Sequence, residues 1–111
     1  MEPDHMRKLR LAFGLSQERL ARLVGVSVRT VARWEGGQSQ PSPLAERQLR
    51  GLENLERQLT RLMRPDSVGD WMDRPNVRFG GRSPSQVLLS EGPEPIVRLL
   101  QDVSVSPGGS G

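Results

Sequence analysis

Arg29 and Arg33 stand four residues apart, the spacing that puts two side chains on one face of an α-helix. An arginine fork pairs bidentately with O6 and N7 of guanine, each good pair being worth about 1–3 kcal/mol of discrimination. Val28, at the start of the same segment, can meet a thymine methyl group. Ser27 and Thr30 offer hydroxyls suited to phosphate oxygens, contacts that position a protein on a duplex without reading its sequence. Helix N-termini serve the same purpose. Taken singly, each arginine also reads as a solvated side chain; facing outward together from one helix, they point to the major groove of DNA.

Catalytic chemistry finds no comparable set. The chain has one histidine, His5, and no cysteine, so neither a Ser/His/Asp arrangement nor a thiolate or histidine metal cluster can be assembled. Asp66, Asp70 and Asp73 read as a solvated face or as helix-start charges. The Phe79-Gly80-Gly81-Arg82-Ser83-Pro84 stretch lacks phosphate-loop spacing and a preceding strand, which makes it a tight turn. No enzymatic activity, metal or cofactor is expected.

The elements around the arginine pair read as two short helices. Ser16 is a good N-cap for a helix from Gln17, and Leu20, Ala21, Leu23 and Val24 give it an apolar face. Small Ala21 lets a second helix cross closely. Gly25 falls where the first helix must stop with positive φ. Val26 fills the corner, Ser27 caps the second helix, and Val31 and Trp34 pin that helix to a core. A plain helical hairpin in a bundle would satisfy the same pattern.

Glu2-Pro3-Asp4 opens a first helix that runs through about Phe13 and ends at Gly14. After Gly36-Gly37 and the QSQPSP loop, Ser42 caps and Pro43 opens a long helix, with Gly51 marking a possible break and Pro65 a stop. Leu49, Leu52, Leu55, Leu59 and Leu62 recur at steps of three and four, forming a stripe that reads as domain core, dimer seam or both. The mixed charges opposite it disfavour a membrane surface.

The 111 residues allow one domain or two very small ones, and with 34% hydrophobic residues, two Trp and two Phe the core must be modest. The start lacks an apolar leader and no stretch approaches a membrane span, so a cytoplasmic protein is expected. Net charge is +3, unevenly spread: residues 1–65 carry +5 and residues 66–111 carry −2. Different partners for the two halves follow. Fifteen of the sixteen basic residues are arginine, which suits phosphate and guanine and equally suits a GC-rich genome.

Beyond residue 65 the chain is rich in breakers. Trp71 and Met72 end one short element, and Arg74-Pro75-Asn76 and Phe79-Gly80-Gly81 turn the chain. Ser83 caps and Pro84 opens a helix through Leu88 and Leu89. Gly92-Pro93 breaks it, and Glu94 to about Val103 forms a last helix. This unit is too small to stand alone and is expected to fold onto the leucine stripe. Trp71 and Phe79 read as core, while Arg78, Arg82 and Arg98 are interface candidates, arginine being enriched at protein hot spots, or plain solubilising residues.

Two resemblances now become specific. Residues 6–52, and LSQERLARLVGVSVRTVARWEGG within them, resemble the Xre or lambda-repressor-like DNA-binding domains of phage and bacterial regulators. That resemblance implies an all-α five-helix domain with a recognition helix at about 28–35. It also implies a DNA contact from Gln17 and an internal ion pair between Arg10 and Glu35. Residues 55–103 resemble the carboxyl-terminal toxin-binding domain of Xre/MbcA/ParS-type antitoxins, carried by Trp71, Pro75-Asn76, Phe79 to Pro84, Leu88-Leu89, Gly92, Val97 and Leu99-Leu100. The implied partner is a RES-class toxin that degrades NAD, covered in part by the last helix and tail, hence Asp102, Val103 and Ser104 as contacts.

Together these readings give an all-α chain: a lambda-repressor-like helix-turn-helix domain over 1–53, a long helix leading into a small helical toxin-binding unit over 54–104, and a Gly/Ser-rich flexible tail over 105–111. One recognition helix reads only a few base pairs, so a homodimer on double-stranded operator DNA is expected. The expected role is a transcriptional repressor that is also the antitoxin of a toxin–antitoxin pair. The competing reading is a stand-alone phage-type or chromosomal regulator without a toxin.

Overall fold

Serine hydroxyls set four of the helix starts. In the computed structural model, which describes residues 1–105 and the side chains of 1–102, the Oγ atoms of Ser16, Ser27, Ser42 and Ser83 accept hydrogen bonds from the backbone N–H groups of Arg19, Thr30, Ala45 and Gln86 at 3.1–3.2 Å. The Gln86 side chain returns the contact to the Ser83 N–H at 2.9 Å, completing a capping box. Each cap satisfies a helix-end donor and is worth about 1 kcal/mol.

The resulting helices are α1 (Pro3–Ala12), α2 (Gln17–Val24), α3 (Val28–Glu35), α4 (Pro43–Leu62), α5 (Val68–Asp73), α6 (Pro84–Glu91) and α7 (Glu94–Val105), with 3-10 turns at Pro65–Ser67 and Val77–Phe79. The described residues contain no strand. Gly25 closes α2 at φ 82°, a left-handed conformation that costs glycine nothing.

One apolar core joins both halves, running from Met6, Leu9 and Phe13 on α1 to Ile96 and Leu100 on α7. Its spine is α4, whose Leu49, Leu52, Leu55 and Leu59 are all buried. The carboxyl-terminal helices pack against α4 through α7 and against α2 through α6. Arg19 lines a hollow with Ser83 and Ser85 at the start of α6, and Leu23 another with Glu91 and Gly92 at its end. Helices α2 and α6 therefore run side by side in the same direction.

Three expectations need correcting. Residues 1–62 form four helices, not five, because α4 is unbroken through Gly51. Gly51 instead allows close approach: a Cβ there would lie 3.3 Å from Pro93 Cγ. Leu62 does not extend the buried stripe but is 44% exposed; the stripe continues four residues after Leu59 at Met63, which packs against the core. The last helix reaches Val105, so that residue is helical; residues 106–111 of the expected tail lie outside the described residues.

Candidate nucleic-acid interface and partner-binding face

Helix α3 is held by one edge and free along the other. Val31, Trp34 and Glu35 are buried, while Val28, Arg29, Ala32 and Arg33 are exposed. Val28 keeps 43% of its surface in contact with solvent at the first turn, where a groove-entering helix first meets base edges. Thr30, half-buried, exchanges a 2.9 Å hydrogen bond with Ser27 Oγ. That bond uses one of the two O–H donors expected to face phosphate and leaves the other for a phosphate oxygen.

The opposite end of α3 is fixed by a buried polar knot. Arg10 Nε donates to Glu35 Oε2 at 2.7 Å and Arg10 Nη2 to Glu35 Oε1 at 3.0 Å, with Arg10 Nη1 donating to the Leu15 carbonyl at 2.9 Å. The expected Arg10–Glu35 pair is therefore present. Gln17 Nε2 donates to Glu35 Oε1 at 3.1 Å, which uses one of the two amide N–H groups of this expected DNA-contacting residue and fixes where the other points. The knot ties the end of α1, the start of α2 and the end of α3 together. Burial pushes the Glu35 carboxyl up, but hydrogen bonds from Arg10 and Gln17 and the charges of Arg10 and Arg7 outweigh it, leaving the group below its ordinary value. Arg10 is shifted up, chiefly by its hydrogen bond to Glu35.

Charge pairing separates the basic residues into two sets. Arg7 and Lys8 face Asp4, Arg50 faces Glu46, Arg64 faces Asp66, Arg78 faces Asp102 and Arg82 faces Glu91. Among the described residues, Arg19, Arg22, Arg29 and Arg33 have no such carboxylate, and neither do Arg47, Arg61, Arg74 and Arg98; the first four are the ones that fall together on α2 and α3. These four guanidiniums on two adjacent short helices can serve a polyanion, although Arg19 also lines a hollow with Asp73. Arg19 and Arg22 were absent from the sequence-based set. The signal for them was their outward place on α2, opposite Leu20, Ala21 and Val24.

The carboxyl-terminal candidates sit on a second face. Arg78 Nη2 donates to Asp102 Oδ2 at 3.2 Å, tying the Val77–Phe79 turn to α7, and Arg82 Nη1 donates to Glu91 Oε2 at 2.7 Å across α6. Arg78, Arg98 and Asp102 share a groove of about 660 Å³ with Phe79 and Leu99. Arg82 lies apart from it. Val103 and Ser104 fall on α7, but their side chains lie outside the described residues. Trp71 and Phe79 are half-buried and packed against the core, as expected for core residues. Ser85 Oγ donates to Asp73 Oδ1 at 3.1 Å, fastening α6 to α5. The described residues contain no group of His, Asp or Glu able to hold a metal ion and no helix long and apolar enough to cross a membrane.

Comparison with known proteins divides the chain at the same place. The helix-turn-helix family model matches residues 6–45. A second model, the antitoxin Xre/MbcA/ParS C-terminal toxin-binding domain, matches residues 58–100. The mycobacterial cidal antitoxins MbcA of Mycobacterium tuberculosis and Mycobacterium bovis are each 32% identical over 75 residues. That alignment spans 68% of this chain and 66%, just under two thirds, of those relatives. The fold matches a chain in the crystal structure of the M. tuberculosis MbcT–MbcA toxin–antitoxin complex at a TM-score of 0.69 and 24% identity, over 94% of this chain and 96% of that one.

Proposed function

From the premise that the chain belongs to the Xre/MbcA/ParS family, joining a helix-turn-helix to that family's carboxyl-terminal domain, we propose that it is a DNA-binding repressor and an antitoxin. Residues 1–53 bind operator DNA, with α3 in the major groove. Arg29 and Arg33 read guanines, Val28 touches a thymine methyl, and Ser27, Thr30, Arg19 and Arg22 lie along the phosphates. Gln17 gives one amide N–H to Glu35 and keeps the other for a phosphate oxygen of the DNA backbone. Residues 54–104 hold a RES-type, NAD-degrading toxin through the face bearing Arg78, Arg98 and Asp102, with Val103 and Ser104 following on α7 and Arg82 making a separate contact. The protein acts in the cytoplasm as a homodimer, without catalysis of its own, and represses its own operon.

The observation that carries this reading is the pairing pattern of the arginines. The second and third helices leave theirs without carboxylates, although acidic residues compensate much of the remaining basic surface. The test is to express the chain with the product of an adjoining RES-type reading frame, then to assay growth, cellular NAD and binding to the operon's promoter. Restored growth, preserved NAD and promoter binding that falls steeply with salt are expected, since phosphate contacts release counterions. Growth arrest with NAD lost, or a salt-independent affinity, would overturn it.

A further inference from the structure

A cavity of about 290 Å³ opens between α2, α4 and the turn joining α6 to α7. Leu23 and Pro93, both half-buried, line it, with Pro93 packed close over Gly51 of α4. Leu44 lies three, four and seven residues before Arg47, Gln48 and Gly51, so it continues the same edge of α4; it is 64% exposed. The edge therefore offers apolar surface to solvent beside a concave seat.

The charges around this seat balance within one chain. Arg47 projects from α4 and Glu94 from the first turn of α7, and both line the cavity. Among the described residues neither has an ion-pair partner, whereas Glu91, the third charged group there, is taken by Arg82. A two-fold contact places one patch against its own copy, so the patch must be self-complementary. One free cation and one free anion flanking an apolar centre meet that condition.

We infer that this face is the seam of a homodimer, with Leu44 and Pro93 of each copy packed together and Arg47 of one copy against Glu94 of the other. The inference rests on the DNA-binding reading for its purpose, because it joins two copies of α3, and one recognition helix spans too few base pairs. Its geometry does not depend on that reading.

Charge exchange tests it on the full chain. Sedimentation over a concentration series is expected to show a wild-type dimer, weakened roughly tenfold or more by Arg47→Glu or by Glu94→Arg, each of which sets like charges opposite one another. The double variant R47E/E94R is expected to recover dimerisation to within a few-fold. Thermal melts of all four proteins confirm that they are folded. A monomeric wild type, single variants that dimerise normally, or a folded double variant without recovery would each overturn the proposal. So would singles that lose the toxin but keep the dimer, since the face would then belong to the other partner. A charge-sensitive dimer that ignores DNA would sink the DNA-binding reading and leave the seam standing.

Discussion

Arg10 and Glu35 meet at two points beneath α3, through bonds of 2.7 and 3.0 Å, with side chains only 13% and 4% exposed. A forked contact fixes angle as well as distance, so this pair sets how α3 leaves the core and where Arg29 and Arg33 point.

Removing one member strands the other as a buried charge. Arg10→Met is expected to cost about 3–5 kcal/mol, lowering the melting temperature by more than about 10 °C in a domain of this size. Arg10→Lys keeps the charge but loses the second contact point, and should fall between. Thermal unfolding followed by circular dichroism measures both.

The same pair predicts a pH response. The folded-state value of Glu35 lies below its ordinary 4.5, so the unfolded chain takes up this proton first as pH falls. Its stabilisation is complete above the ordinary carboxylate range and disappears as pH drops through the folded-state value. Urea titrations of wild type and Glu35→Gln should show the wild type more stable at neutral pH. The gap should narrow toward acid; a gap independent of pH would contradict the assignment.

Gly51 offers a test of the junction between the halves. Glycine inside a helix ordinarily costs about 1 kcal/mol against alanine, yet here a side chain must displace Pro93. Gly51→Leu is expected to destabilise the fold by about 1–3 kcal/mol through overpacking, despite leucine's better helix propensity. A stabilised variant would show that Pro93 yields freely.

Deletion of residues 66–111 tests the shared core. Leu55 and Leu59 of α4 are fully buried, and α7 packs on the same helix. The truncated chain should melt at a lower temperature and with less cooperativity than the full chain. An equally sharp and stable transition would mean that the amino-terminal half folds independently.

What the sequence disclosed depended on the range of each interaction. The α2–α3 unit was legible because its signals are local: Ser16 and Ser27 cap within three residues, Gly25 needs its positive φ where it stands, and Val31 and Trp34 share one face. The Arg10–Glu35 pair, 25 residues apart, came instead from family resemblance. Gly51 misled because its reason is Pro93, 42 residues away, and a glycine without that knowledge reads as a break. Leu62 fits the spacing of the stripe, but a step of four from Leu59 carries the buried side to Met63 instead. Gln17 looked free because its partner, Glu35, is brought up only by the fold. Arg78 and Arg82 gave no sign of their carboxylate partners, 24 and 9 residues on.

The most direct test of the two-function claim replaces Arg29 and Arg33 together by alanine. Affinity for the promoter should be measured over a salt series, with toxin capture by the same preparation measured alongside. The expected result is a loss of roughly a hundredfold or more in specific affinity, from two base contacts of about 1–3 kcal/mol each, with toxin capture unchanged. Wild-type promoter affinity in the folded double variant would contradict the role assigned to α3, and loss of the toxin together with DNA would contradict the separation of the two faces.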